Sequence, residues 1–269
     1  MKAAAIQMTS GRDVGRNLEE AGRLIGVAAE RGAELVVLPE NFSFMGALDA
    51  ERLAAAEQPG EGPAQSFLAE QAREYGLWLV GGTIPVWDEA ERARSRSALY
   101  DPNGACIGSY DKIHLFDVDV PDNETESYRE SATTVSGSTP TVITTPIGEI
   151  GMAVCYDLRF PALFHRLGML GMRILVLPAA FTVPTGRVHW QPLLQARAIE
   201  SLVYVVVSAQ CGEHAGGRQT YGHSMILGPW GETMSCLDDG TGVVSADLDM
   251  IRLEQIRSQF PSLSHRREL

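Results

Sequence analysis

Gly151-Met152-Ala153-Val154-Cys155-Tyr156-Asp157-Leu158-Arg159-Phe160-Pro161 places a cysteine at the end of a short apolar run. An apolar run that stops at a cysteine and continues into polar residues is typical of a buried strand that carries a thiol to the edge of a sheet. From these residues alone, Cys155 is either a nucleophile or an ordinary buried core residue. The rest of the chain must supply a base, an oxyanion donor and a pocket for the first interpretation to hold.

Strand-like and helix-like segments alternate on both sides of this stretch. Before it, residues 1–8 and 34–39 are apolar runs of strand length, and residues 17–31 between them have the 3.6-residue apolar period of a helix. After it, residues 173–178 and 203–208 predict strands on either side of a helix over 189–200. This alternation predicts an α/β fold.

The remaining segments predict turns and loops between further strands. Residues 77–84 predict one strand, and 97–100 and 106–111 predict a hairpin around Asp101-Pro102-Asn103-Gly104, because Asn-Gly accepts positive φ. Residues 88–96 are charged and residues 117–140 are polar and acidic, so both predict loops. We find no internal repeat and no linker, and residues 1–269 are expected to form one domain.

The composition argues against nucleic acid as a partner. The chain has 22 Lys and Arg against 34 Asp and Glu, a net charge of −12, and this balance gives no attraction to a phosphate backbone.

The cysteines and the N-terminal residues indicate a reducing compartment. Cys106, Cys155, Cys211 and Cys236 are widely spaced and include no Cys-X-X-Cys pair, so neither a zinc site nor a small disulfide framework is indicated. Residues 1–8 are too short for a signal-peptide core or a membrane span. We therefore expect a cytoplasmic protein that does not contact a membrane.

Three reactive side chains share one predicted setting, the end of a strand. Glu40 follows one strand, Lys112 follows a hairpin arm, and Cys155 follows another strand. In α/β sheets, sites gather at the carboxyl ends of strands. A carboxylate could take the thiol proton, a lysine could stabilise an oxyanion, and the three together suffice for acyl transfer through a thioester.

Structural interpretations of the same residues remain open at this point. Glu40 could cap the next helix, and Lys112 could be a solvated charge at a strand end. Cys106, Cys211 and Cys236 lack a comparable setting and are interpreted as buried or incidental.

Three motifs together resemble the signatures of the carbon-nitrogen hydrolase (nitrilase) superfamily, in order and in spacing. They are Leu38-Pro39-Glu40-Asn41-Phe42, Tyr110-Asp111-Lys112-Ile113-His114-Leu115-Phe116-Asp117 and the opening stretch. The resemblance spans essentially the whole chain and implies an α/β fold arranged as a four-layer αββα sandwich. It also implies hydrolysis of a non-peptide C–N bond without metal or other cofactor, and association into a homodimer or a higher homo-oligomer.

The resemblance assigns catalytic roles residue by residue. It implies that Glu40 is the general base, Lys112 the oxyanion stabiliser and Cys155 the nucleophile. Glu130 matches a second glutamate that orients the lysine or the attacking water; alternatively, it is a solvated residue of an acidic loop.

Residues 112–119, 209–212 and 221–225 resemble the branch that contains deaminated-glutathione amidase and ω-amidase. This implies a small-molecule substrate, an amide of a small α-keto acid, and deaminated glutathione is the expected substrate. An ω-amidase that acts on α-ketoglutaramate or α-ketosuccinamate is one alternative. Another amidase or a carbamoylase of the superfamily is a second alternative. Tyr156, Arg159, Phe181 and Thr185 match substrate-binding positions, and the Arg159 guanidinium suits a carboxylate. Arg187 departs from the branch pattern and is expected to face solvent; alternatively, it selects a more acidic substrate.

Two other functional hypotheses remain. His189 or His223 could serve as the base of a Cys-His hydrolase or thioesterase, although both are expected to be structural. The chain could also keep the fold and only bind partners, in which case no acyl adduct would form on Cys155.

Overall fold

The computed structural model describes residues 1–88, 92–120 and 127–267, and within them the chain forms six α-helices. They are α1 (Val14–Glu30), α2 (Asp49–Ala54), α3 (Pro63–Tyr75), α4 (Pro161–Met169), α5 (Val183–Ser201) and α6 (Met250–Gln259). The Asp13 side chain caps α1 by accepting from the Arg16 backbone N–H at 3.1 Å. None of these helices has the length and apolar character that crossing a membrane requires.

Seventeen strands lie in the same residues. They are β1 (Lys2–Gln7), β2 (Leu35–Val37), β3 (Trp78–Val80), β4 (Ile84–Trp87), β5 (Ala93–Tyr100), β6 (Cys106–Asp111), β7 (Asp117–Asp119), β8 (Ser127–Arg129), β9 (Thr141–Thr145), β10 (Gly148–Met152), β11 (Ile174–Ala179), β12 (Tyr204–Ala209), β13 (Cys211–Glu213), β14 (Gln219–Tyr221), β15 (Met225–Leu227), β16 (Thr233–Cys236) and β17 (Gly242–Asp247).

Two mixed sheets form the centre of the fold. The first has the order β17-β1-β2-β3-β5-β4, with β6 also paired to β5, and the second has the order β16-β15-β12-β11-β10-β9. Strands β1, β2 and β3 run parallel, as do β10, β11 and β12. The parallel strands direct the loops after β2 and β10 to the carboxyl ends of their sheets, where Glu40 and Cys155 lie.

Alternate side chains of β1 separate the two faces of the first sheet. Ala3 and Ala5 belong to the core between the sheets, with Leu175 and Val205 of the second sheet. Ala4 and Ile6 point the other way and pack with Leu24, Ile25 and Leu68 of α1 and α3. Helices α4 and α5 contribute to the core of the second sheet through Phe164, Trp190 and Leu194. These layers confirm the predicted four-layer αββα sandwich.

The strand predicted over residues 77–84 is in fact two strands, β3 and β4. Gly82 separates them with a φ of 50°, and a Cβ built there would lie 2.1 Å from the Pro39 carbonyl oxygen. The chain therefore turns at this glycine because the loop that carries Glu40 approaches its backbone. The charged loop predicted over 88–96 is shorter than expected, since β5 begins at Ala93, and residues 89–91 lie outside the described residues.

The long loop predicted over residues 117–140 contains regular structure. Strands β7 and β8 pair antiparallel, and a 3₁₀ turn at Glu130–Ala132 follows them. Residues 121–126, between the two strands, lie outside the described residues. The hairpin positions Glu130 beside Lys112, so this segment forms part of a site.

Candidate active site

The structure brings together the three side chains that the motifs single out. Lys112 Nζ donates to Glu40 Oε1 at 2.8 Å. Glu40, Lys112 and Cys155 are all buried and line one cavity. The Ala180 backbone N–H, at the end of β11, donates to Cys155 Sγ at 3.5 Å. The strand-end placement predicted from the sequence therefore assembles one constellation from both sheets.

Cys155 does not end a strand but opens the 3₁₀ turn Cys155–Arg159, three residues after β10 ends at Met152. Its φ of 46° is in the left-handed region, which is unfavourable for a residue with a Cβ. The sharp turn projects the sulfur out of the sheet into the cavity. Sequence periodicity carries no signal for such a turn, and the strand expected to lead directly into Cys155 ends three residues earlier, at Met152.

Asp157 fixes this turn to the loop that carries Lys112. Its fully buried carboxylate accepts from the Val154 backbone N–H at 2.9 Å and from the Tyr110 hydroxyl at 2.7 Å. The same carboxylate accepts from the His114 backbone N–H at 3.0 Å and contacts His114 Nδ1 at 2.7 Å. One side chain thus sets the position of Cys155 relative to the loop that carries Lys112. The residues around Asp157 carry no pattern that would predict this role from the sequence.

The loop after β2 holds Glu40 through its backbone. Gln210 Nε2 donates to the Glu40 carbonyl oxygen at 3.0 Å, and the Asn41 N–H donates to Thr83 Oγ1 at 2.8 Å. Asn41 has a φ of 57°, so the chain turns sharply directly after the glutamate. These contacts leave the Glu40 carboxylate directed at Lys112 and the cavity.

Glu130 is the second carboxylate on Lys112. Its Oε2 accepts from Lys112 Nζ at 2.8 Å and from the Phe116 backbone N–H at 2.7 Å. The side chain is 18% exposed, so it is not a solvated residue of an acidic loop. Lys112 Nζ therefore lies between two carboxylates, which fixes its position.

Opposed charges govern protonation in this cluster. Desolvation on its own would lower the pKa of Lys112, but the carboxylates of Glu130 and Glu40 outweigh it and raise that pKa. Desolvation would likewise raise the pKa of Glu130, but the charge and hydrogen bond of Lys112 lower it. Lys112 is thus a permanent cation at neutral pH, and Glu130 is its counter-ion.

Cys155 is a thiol in the resting state. Burial raises its pKa well above the usual value, the negative charge of Glu40 raises it further, and Lys112 only partly opposes them. Sulfur can therefore attack only if its proton is removed in the same step, and Glu40 is the carboxylate beside it.

A cavity of about 690 Å³ opens above the sulfur. The four side chains predicted to bind substrate, Tyr156, Arg159, Phe181 and Thr185, all line it. The Arg159 guanidinium carbon lies 5.3 Å from the Phe181 ring centroid, and Arg159 Nη1 is 3.2 Å from His189 Nδ1. The volume is in the range of pockets that enclose small organic ligands.

Three residues discussed from the sequence lie outside the cavity lining. Arg187 is exposed on α5, as expected, and does not line the cavity. His189 contacts Arg159 rather than Cys155, and His223 Nδ1 contacts the Tyr221 carbonyl oxygen at 2.8 Å. Neither histidine is placed to act as a base on the thiol.

Sequence reasoning missed several residues of the lining. Tyr128 and Arg129 come from β8, and Arg218 comes from the loop between β13 and β14. Their segments show neither apolar alternation nor a strong helix period, so the patterns used above could not find them. The cluster of glycines before Arg218 was the available signal, because Gly216 and Gly217 adopt positive φ in a tight loop.

His214 anchors that loop from inside. Its ring is 6% exposed, with Nδ1 2.9 Å from the Ser10 carbonyl oxygen and Nε2 2.6 Å from Thr220 Oγ1. Nδ1 must donate to the carbonyl, so a neutral ring leaves Nε2 to accept from the threonine hydroxyl. Burial lowers the pKa of His214 to about 4.

The free energy of unfolding is expected to depend on pH through His214. Its folded pKa of about 4 lies below the unfolded value of roughly 6.5, so the unfolded chain binds the extra proton between these values and stability falls with acidification. We expect about 2 kcal/mol less stability at about pH 5 than at about pH 7 from this residue. Urea unfolding of His214→Gln should show a flatter pH dependence over that interval. The exposed His265→Gln control should keep the wild-type slope; a His214→Gln variant that also keeps it would contradict the assignment.

Among residues 1–88, 92–120 and 127–267, no group of three His, Cys, Asp or Glu side chains has an arrangement that could hold a metal ion.

The chain is similar over its full length to known proteins. It is 44% identical to the deaminated glutathione amidase of Synechocystis sp., over 98% of this chain and 97% of that protein. The crystal structure of the C. elegans NitFhit protein matches with a TM-score of 0.92 and 35% identity, over 99% of this chain and 65% of that one. A mutant of the amidase from Nesterenkonia sp. AN1, with acrylamide added at its active-site cysteine, matches with a TM-score of 0.78 and 26% identity, over 97% and 98% of the two chains.

The family model for carbon-nitrogen hydrolase matches residues 2–258. That span contains all three motifs and every residue of the constellation around Cys155. The chain therefore belongs to the carbon-nitrogen hydrolase family.

Proposed function

We propose that this chain is an amidase that hydrolyses deaminated glutathione through a thioester on Cys155. The observation that carries the proposal is the buried Glu40–Lys112 contact of 2.8 Å in the cavity that also holds the Cys155 thiol. The 44% identity to a deaminated glutathione amidase over nearly both full lengths supports the choice of substrate.

In the acylation step, Glu40 removes the thiol proton while Sγ attacks the amide carbonyl carbon. Lys112 Nζ and the backbone N–H of Tyr156 stabilise the oxyanion, and each such donor contributes about 10²–10³ in rate. The C–N bond then breaks, Glu40 returns its proton to the leaving nitrogen, and the acyl group stays on sulfur as a thioester.

In the deacylation step, Glu40 acts as base for a water molecule that attacks the thioester carbonyl. The C–S bond breaks, the acid product leaves, and the proton held by Glu40 restores the thiol. Glu130 holds Lys112 in place through both steps, because Lys112 Nζ donates at 2.8 Å to Glu130 as well as to Glu40.

The substrate's keto-acid carboxylate is assigned to Arg159. The guanidinium lies over Phe181 and lines the cavity that holds Cys155. Tyr156 and Phe181 enclose the acyl arm, and the Thr185 hydroxyl lies at the same wall, 2.8 Å from Thr182 Oγ1.

We expect a value of kcat/KM for deaminated glutathione at least about tenfold above that for α-ketoglutaramate. The reason is that the cavity extends well beyond the volume that the smaller amide would fill. Steady-state amine release from both substrates measures the ratio, and intact-mass measurement of quenched reactions should detect an acyl adduct on Cys155. A preference for α-ketoglutaramate would identify an ω-amidase instead.

The same two measurements, made on the wild type and on variants of the candidate bases, distinguish the remaining alternatives. A Cys-His hydrolase would tolerate Glu40→Gln and fail with His189→Ala or His223→Ala. A binding protein without activity would give no adduct with either substrate.

We further propose that the chain acts in the cytoplasm as a homodimer or higher homo-oligomer. Met169, Leu170, Val188 and Ile199 are exposed apolar side chains on or next to α4 and α5, the outer layer of the second sheet. Light scattering of the purified protein measures the mass; a monomer at micromolar concentration would exclude the assembly.

A further inference from the structure

We propose that Arg218 binds a second carboxylate, on the amine half of the substrate, and so makes the pocket selective for amides that carry a carboxylate at each end. The inference rests on the proposed function, because it takes the acyl half to be held at Arg159 with its carbonyl at Cys155.

Arg218 is held on two sides, and its buried Nε has no hydrogen-bond partner among the described residues. Its Nη2 donates to the Ala180 carbonyl oxygen at 3.0 Å, and its guanidinium carbon lies 4.9 Å from the centroid of the Tyr128 ring. The Nε atom is buried and finds no hydrogen-bond partner within residues 1–88, 92–120 and 127–267. A buried donor without a partner is unfavourable, so a small movement of the guanidinium toward a ligand's acceptor would remove that cost.

The charges around the cavity separate its four arginines into two kinds. Arg129 forms a 2.9 Å ion pair with Asp119, and the charge of Arg52 acts on Glu130. Arg159 and Arg218 form no ion pair with any carboxylate that the described part of the chain contains. On a chain of net charge −12, two such guanidinia in one cavity indicate a ligand with two negative groups.

Both arginines are connected to the nucleophile through adjacent residues. The Ala180 carbonyl oxygen accepts from Arg218, and the Ala180 N–H donates to Cys155 Sγ. The next residue, Phe181, lies beneath Arg159. An acyl carbon bonded to sulfur therefore has one guanidinium available on the Phe181 side and another on the Tyr128 side.

The loop that carries Arg218 indicates which half of the substrate it binds. Gly216 and Gly217, directly before it, are exposed, whereas Cys155 itself is buried. The amine product must leave first, while the acyl group is still attached to sulfur, so it is expected to occupy the side of the cavity next to this exposed loop. Deaminated glutathione has a carboxylate on its amine half, and α-ketoglutaramate has none there.

Kinetics on these two substrates test the assignment. For Arg218→Gln, we expect KM for deaminated glutathione to rise by about 10- to 100-fold, kcat to stay within about threefold, and both constants for α-ketoglutaramate to stay within about threefold. Arg218→Lys should recover part of the affinity that Arg218→Gln loses, because an ammonium restores the positive charge but not the two-pronged hydrogen bonding of a guanidinium. Arg187→Gln is the matched control, since it removes the same charge from an exposed position outside the cavity, and it should match the wild type on both substrates. Equal losses on the two substrates, or no loss on either, would overturn the proposal.

A binding measurement keeps this result separate from the proposed function. If the wild type hydrolyses neither substrate, the amidase proposal fails, and calorimetry on Cys155→Ala still tests Arg218. The probes are unbranched dicarboxylic acids of increasing length and the matching monocarboxylic acids. We expect the best dicarboxylate to bind about tenfold or more tightly than its monocarboxylate, and the added Arg218→Gln change to remove that difference. Equal binding of the two series would overturn the inference.

Discussion

Replacing Cys155 with glycine is expected to abolish turnover and yet to leave the protein about 1 kcal/mol more stable than the Cys155→Ala variant. Both variants remove the sulfur, so neither can form the thioester. They differ in backbone freedom: residue 155 has a φ of 46°, which glycine adopts without the crowding that an alanine Cβ causes. The usual cost of glycine in the unfolded chain reduces this advantage without reversing it.

Activity and stability are measured separately for these two variants. Turnover should fall by about 10⁴-fold or more in both, because removing a nucleophile eliminates the covalent route. Urea unfolding should rank glycine above alanine. Residual turnover at a tenth of the wild-type rate would exclude Cys155 as nucleophile, and an alanine variant more stable than the glycine variant would show that the turn relaxes when sulfur is removed.

The layered core could be predicted from the sequence because its residues follow simple periods. The apolar period of residues 17–31 corresponds to α1, and the helix predicted over residues 189–200 lies within α5. The Asp101-Pro102-Asn103-Gly104 turn lies where predicted, with Gly104 at a φ of 84° and Asp101 Oδ1 accepting from the Ala105 N–H at 2.8 Å. Local chemistry determines such elements, so one sequence suffices to find them.

Other elements could not be predicted from the sequence, because contacts between distant parts of the chain determine them. Strands β7 and β8 are short and mostly exposed, and Glu130, directly after β8, contacts Lys112 at 2.8 Å. Helix α6 has a weak apolar period; its signal was Asp249, which accepts from the Ile251 and Arg252 N–H groups at 3.0 Å as an N-cap.

The residues of the candidate site also fall into those that could be predicted from the sequence and those that could not. Glu40, Lys112 and Cys155 could be grouped from motifs, because each follows a predicted strand or hairpin arm. Arg218 and Asp157 could not be given roles, since one acts from an irregular loop and the other through hydrogen bonds between segments 43 residues or more apart. Distances between such segments are a property of the folded chain alone.

Replacing Lys112 with methionine is expected to lower the free energy of unfolding by about 3–5 kcal/mol at neutral pH and kcat by about 10²–10³. The substitution keeps the volume of the side chain but removes the lysine's charge from the buried Glu40 carboxylate and the partly buried Glu130 carboxylate, which both contact it in the wild type. In the wild type, Lys112 lowers the pKa of Glu130, so this stabilisation is present above the unfolded value of roughly 4.3 and is lost on acidification. Without the lysine, desolvation and the neighbouring charge of Glu40 raise the pKa of Glu130, and the sign reverses: the variant gains stability as pH falls from about 8 to about 5.

Unfolding and kinetics over this pH interval test that reversal with two matched variants. Lys2→Met makes the same change at the only other lysine in the chain, which donates to the Arg31 carbonyl oxygen at the surface, and it should keep the wild-type stability and rate. Adding Glu130→Gln to Lys112→Met removes one of the two carboxylate charges and should restore about 1–2 kcal/mol of stability without restoring activity. Recovery of stability shows that the lysine offsets carboxylate repulsion, while the missing activity shows that its charge is also needed on the oxyanion. A double variant that recovers both would assign Lys112 a purely structural role.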